Sequence, residues 1–168
     1  MTPKITKLGI PAAVVTSALV LLAPTIAAYA VSPHFISASS GLTSSGYLTC
    51  TFKEAGLGNL GFSNIKETCS ADASAVWGCV NNGGNHPQAA NKETVTGTVS
   101  NNGFFPIRNG QTSGTITVSP PSPTSDFSCP NGQHLELLSA SYTNVMLCDQ
   151  LGNCVQLSNQ SYTNPKFA

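Results

Sequence analysis

The sequence predicts an all-β fold, on three observations. Short runs of β-branched and aromatic residues with alternating polarity recur about every ten residues. Clusters of Gly, Asn and Pro punctuate them, and no convincing amphipathic helix follows residue 30. About seven to eight such strands in one domain are the pattern of a sandwich or barrel, and we expect an immunoglobulin-like antiparallel β-sandwich.

Residues 1–30 are expected to be a signal peptide. Lys4 and Lys7 form a positive start, Leu8 to Ala23 an apolar stretch, and Ala28-Tyr29-Ala30 a small-residue cleavage site. Pro11, Pro24 and that small-residue end fit cleavage better than a transmembrane span, so the mature chain should begin at Val31. It then has 168 − 30 = 138 residues, 31–168, enough for a single secreted domain.

After an extended stretch from Val31 to Ser40, Tyr47 to Phe52 has the alternation of a half-buried strand. Ile65 to Val80 carries Cys69, Ala71, Ala73, Ala75, Trp77 and Cys79 at period two, which favours a long strand over a helix and puts Trp77 in the core. Thr94 to Val99 is a further strand, and Asn101-Asn102-Gly103 is expected to turn the chain before Phe104 and Phe105. Asn109-Gly110 marks another turn, Thr115 to Val118 a strand, and the prolines from Ser119 to Pro123 an irregular connection. His134 to Leu138, Tyr142 to Cys148, Cys154 to Leu157 and the tail from Ser161 complete the set.

Six cysteines, an even number without a C-x-x-C pair, indicate disulfides rather than metal ligation in an exported chain. Six allow 15 pairings. Cys148 and Cys154 flank a Gly turn closely enough for a cross-strand bridge. Cys50 and Cys69 lie in β-like runs either side of Gly56 to Asn64, leaving Cys79 with Cys129 as the long-range bridge.

Charged residues make up only 8% of the chain, so Ser, Thr, Asn and Gln must solvate the surface. Beyond residue 30, Lys53, Lys66, Lys92, Arg108 and Lys166 face seven acids, a net charge of 5 − 7 = −2. Cations spread singly along the chain make no basic stripe, which argues against nucleic acid and anionic lipid as partners. Recurrent Val, Ile, Leu, Phe and Tyr argue against disorder.

Ser32-Pro33-His34-Phe35, Phe52 to Gly58, Cys79 to Pro87, Asn91-Lys92, Ser119 to Ser122, Cys129 to Gln133 and Tyr142 to Val145 resemble segments of a family of small secreted proteins common in actinobacteria. The resemblance spans nearly all of the mature chain. It implies export and a compact domain and carries over no active site.

Catalytic signatures are weak. Gly56 to Gly61 matches G-x-G-x-x-G, but it leads into a β-like run, so a hairpin loop is expected rather than a dinucleotide site. His34, His86 and His134 with Asp72, Asp126 and Asp149 allow a Ser-His-Asp triad on paper, without a G-x-S-x-G elbow. Glu54, Glu67, Glu93 and Glu136 could supply a glycosidase carboxylate pair, without a spacing signal. No H-x-H or H-E-x-x-H spacing supports a metal site, and neither metal nor cofactor is expected. Asn159-Gln160-Ser161 is a glycosylation sequon, of consequence only in a host that glycosylates its exports.

The expected recognition surface is the loop from Asn81 to Asn91, with Asn81, Asn82, Asn85, His86 and Gln88 as binding residues, beside the loop from Ser119 to Pro123. An exposed aromatic, Phe104 or Tyr142, would suit carbohydrate. We expect a non-catalytic, monomeric extracellular protein that binds a polymer or protein of the envelope or surroundings. The alternatives are a small secreted effector, such as a protease inhibitor or toxin-like factor, and a hydrolase whose His and carboxylate meet only in the fold. The tail from Tyr162 to Ala168 carries no anchoring signal, so release is expected.

Overall fold

The computed structural model describes residues 32–58, 60–81 and 91–167. The expected leader, the cleavage site, and Asn82, Asn85, His86 and Gln88 lie outside them. Asn81 is the last residue of a strand.

The described chain is an all-β sandwich of antiparallel strands: β1 (His34–Leu42), β2 (Leu48–Ala55), β3 (Asn64–Asn81), β4 (Lys92–Pro106), β5 (Gln111–Val118), β6 (Gln133–Asp149), β7 (Cys154–Gln156) and β8 (Gln160–Thr163). One sheet has the order β1-β2-β5; the other has β4-β3-β6, with β7 and β8 both paired to β6. An immunoglobulin constant-type domain keeps its fourth strand with the first, second and fifth. Here β4 pairs with β3 in the other sheet.

Alternation on β3 turns Ile65, Cys69, Ala71, Ala73, Ala75 and Cys79 inward, all nearly inaccessible to solvent. Of these, Cys69, Ala71, Ala73 and Ala75 pack with Leu48, Cys50 and Phe52 of β2, Ile116 and Val118 of β5, and Ala140, Tyr142, Val145 and Leu147 of β6. The alanines on β3 let the sheets approach, and the larger side chains opposite fill the space. The three disulfides are Cys50–Cys69, Cys79–Cys129 and Cys148–Cys154, the pairing expected from the spacing. Three bridges with no free cysteine among the described residues suit an oxidising environment.

Four expectations need correction. Asn101-Asn102-Gly103 does not turn; it pairs with Glu67, Thr68 and Cys69 inside a continuous β4. The two strands expected between His134 and Cys148 are one, β6, whose pairing with β3 shifts register twice, and Asn144 there takes φ 52°. A bulge absorbs the irregularity without ending the strand. The segment from Gly56 to Gly61 is no hairpin loop, because it joins β2 in one sheet to β3 in the other. Tyr142 is not an exposed platform: it is fully buried, and its hydroxyl donates to the Gly46 carbonyl at 2.9 Å. Burial pushes its phenol up to about 12.

Candidate functional site: an aromatic groove at one end of the sandwich

The turn between β1 and β2 is built around Thr43. Its backbone N–H donates to the Tyr47 carbonyl at 2.9 Å, its carbonyl accepts from Gly46 N–H at 3.0 Å, and its Oγ1 accepts from Tyr47 N–H at 3.1 Å. Gly46 has φ +78°, and a Cβ there would lie 2.4 Å from the Tyr162 ring. Only glycine fits both that backbone and that approach. Tyr162 is delivered by β8, in register with Ala140 of β6, and β8 is tied across to β1 by Gln160 Nε2, which donates to Ser40 Oγ at 2.9 Å.

Trp77, near the end of β3, is half-buried against the core rather than enclosed. Its indole N–H donates to the Pro121 carbonyl at 2.8 Å, pinning the Pro-rich connection beside it. That connection is also held at Thr124, which donates to Glu93 through its backbone N–H at 3.1 Å and its hydroxyl at 2.8 Å.

The chain after β8 completes the wall. Buried Asn164 donates from Nδ2 to the Leu137 carbonyl at 3.0 Å and accepts Lys166 N–H at Oδ1. Lys166 Nζ then reaches Glu136 Oε1 at 3.4 Å, and His134 Nε2 meets the same oxygen at 2.9 Å. The His134 hydrogen bond, helped by Lys166, holds the Glu136 carboxyl below the usual carboxylate range. Tyr47, Trp77, Tyr162, Glu136, Asn164 and Lys166 thus border an open groove of about 410 Å³. It presents aromatic ring surface, a carboxylate, an ammonium and an amide, the groups that grip a polar ligand with apolar faces.

Among the described residues, which do not include His86, the triad drawn from sequence is not assembled. Asp72 accepts from Thr98 and Asn144 on the outer face, Asp149 from backbone and Asn153 at the other end, and His34 bonds its neighbour Ser32. No serine hydroxyl hydrogen-bonds His134 among the described residues. Of the four glutamates, Glu54 and Glu67 do come together, but in the core and with no accessible surface, so no substrate reaches them. Among the described residues no group of His, Cys, Asp and Glu is arranged to hold a metal ion.

No protein-family model, curated protein or solved structure matches this chain. The groove therefore has to be judged on its own chemistry. Sequence reasoning missed it because its walls come from four separated segments, none with a motif. The one usable signal was three aromatics, Tyr47, Trp77 and Tyr162, each close to the end of a predicted strand.

Proposed function

We propose that this is a secreted, extracellular binding protein that acts without catalysis or cofactor, as a monomer, and holds an uncharged polysaccharide of the envelope or surroundings in the aromatic groove. The observation that carries the reading is the convergence of Tyr47, Trp77 and Tyr162 on one open groove with Glu136, Asn164 and Lys166 between them. Aromatic rings match the apolar faces of sugars, and the three polar side chains suit their hydroxyls. The sparse charge and three disulfides suit life outside the cell. β3 ends at Asn81 and β4 begins at Lys92 at this same end.

The test is retention of the purified, oxidised protein on cell walls and a panel of insoluble polysaccharides, with Tyr47→Ala and an Asn85→Ala/His86→Ala variant in parallel. Saturable retention weakened about tenfold or more by Tyr47→Ala supports the groove. Retention lost only in the double variant moves the site to the loop, and no retention on any matrix removes the proposal.

The His134–Glu136 pair at the groove rim favours a second reading, a hydrolase. Release of soluble sugar from the same matrices by the wild type, abolished in Glu136→Gln, would replace binding with catalysis.

A further inference from the structure

The other end of the sandwich holds a group of side chains that packing alone leaves unsatisfied. Glu54 of β2 and Glu67 of β3 are fully buried, and as carboxylates all four of their oxygens lack a donor. Asp149 of β6 stands opposite Glu67 in the strand register, and Thr112 of β5 stands opposite Glu54 with its buried hydroxyl also unpartnered. The acids come from both sheets: Glu54 from one, Glu67 and Asp149 from the other. Natural cores carry few such groups, and each needs an account.

We infer that Glu54 and Glu67 form a proton-held latch between the two sheets, closed while a proton lies between their carboxyls and forced open when it is lost. Two ionised carboxylates cannot hydrogen-bond each other, whereas one protonated carboxyl donates to its neighbour. Glu54 lies within hydrogen-bonding reach of both Glu67 and Asp149. Asp149 cannot relieve the crowding by withdrawing, because Oδ1 accepts from Leu151 N–H and Asn153 N–H at 2.8 Å each and Oδ2 from Asn153 Nδ2 at 2.6 Å.

Among the described residues no cation is paired with either carboxyl. On the surrounding elements, Lys53 of β2, His34 of β1 and Arg108 between β4 and β5 are exposed, and Lys66 of β3 is half-exposed and opposite Phe104 on β4. The ion pairs among the described residues are those of Glu136 with His134 and Lys166, far from this end. Burial first, then hydrogen bonding and charge from Glu67 and Asp149, push Glu54 up to about 9; burial and the Asp149 charge raise Glu67 to about 7, against a lowering hydrogen bond with Glu54.

Between the ordinary carboxyl range and those raised values the native state holds protons that the unfolded chain has released. The stability they confer is complete below about 4.5, the ordinary glutamate value, and is lost as pH rises through about 7 and then about 9. Most proteins show the reverse at their paired carboxylates. The Cys50–Cys69 bridge joins the two sheets two residues along β3 from Glu67. Loss of the proton therefore loosens this end, from Glu54 and Glu67 outward, while the disulfide keeps the sheets together. One proton stays on the pair up to the higher of the two values, so the closed form extends through neutral pH and opens in alkali.

The experiment is urea unfolding of the oxidised wild type and of Glu54→Gln from about pH 5 to pH 9. The glutamine amide can donate to Glu67 without titrating. We expect the wild-type folding constant to fall by about tenfold per pH unit for each extra proton held, and Glu54→Gln to remove about one such factor. The variant should also be the more stable protein at pH 9. A Glu54→Gln profile parallel to the wild type overturns the latch. So does a calcium-dependent rise in stability that Glu54→Gln abolishes, since the acids would then hold a cation. Should the variant not fold, carboxyl NMR of the wild type decides: two glutamate resonances titrating well above the ordinary range are expected, and every carboxyl titrating near its ordinary value overturns the latch.

Discussion

Glu136 and Glu54 are the same amino acid at opposite ends of one sandwich, and their surroundings drive them in opposite directions. Glu67 and Trp77 mark these ends ten residues apart on β3, a distance of about 33 Å at ~3.3 Å per residue. At the groove end Glu136 keeps contact with water and faces His134 and Lys166, so its charge is favoured. At the sealed end Glu54 and Glu67 are buried, with Asp149 and the Thr112 hydroxyl opposite them in the strand register, so their charge is opposed. An accessible, paired carboxylate is useful for holding ligands; an inaccessible, unpaired one is useful only as a store of a proton.

The largest break in this comparison should come from the covalent frame. Replacing Cys79 and Cys129 together by alanine opens a loop of 50 residues near the groove, worth about 4 kcal/mol in the chain-entropy model, against ~2 kcal/mol for the six-residue Cys148–Cys154 loop. Chemical denaturation of the two double variants should rank them in that order, and retention should fall with the first.

A smaller loss should follow at the sealed end from Gly114→Ala. A Cβ there would stand 2.1 Å from the Phe105 ring, which packs edge-on against Phe52 at 4.9 Å. The ring has to move, at a cost of about 1–3 kcal/mol. The unfolding midpoint should drop while retention on polysaccharide, read at the far end, stays as in the wild type.

Tyr142→Phe sharpens the contrast from the groove side. It leaves the Gly46 carbonyl without its hydroxyl donor under the turn that positions Tyr47, and should cost about 1–1.5 kcal/mol. Retention should weaken with it, because Gly46 also seats the Tyr162 ring.

Glu136→Gln should have the smallest effect on stability, under about 1 kcal/mol at neutral pH, since its partners are largely exposed. Its folded-state value is lowered, so its contribution is present above the ordinary carboxyl range and is lost as pH falls through that lowered value. A wild-type-minus-variant stability difference that vanishes in acid, alongside a Glu54→Gln difference that grows in alkali, would separate the two ends in one pair of titrations.

Much of the frame was legible because it depends on periodicity and parity. The alternation from Cys69 to Cys79 could bury one face only as a strand, and six cysteines at those spacings favoured the pairing that formed. Local signals failed where tertiary pairing overrode them. Asn101-Asn102-Gly103 has turn chemistry, yet β3 runs alongside and holds those residues extended. Tyr142 could be assigned to either face of a strand until the register of β6 set it in the core. The residues expected to bind were chosen for loop composition, whereas the groove gathers side chains from strand ends and the C-terminal segment.

By itself the sequence determined an all-β architecture, a disulfide frame and a nearly uncharged polar surface, because strand alternation, cysteine parity and composition are local or additive properties. Only the tertiary structure decided that Tyr47, Trp77 and Tyr162 share a groove and that Glu54 meets Glu67 away from water. Those are contacts between distant segments and between two sheets. Which side chains meet there depends on sheet order and register, and their proton affinities depend on the solvent and charge that the assembled fold leaves around them.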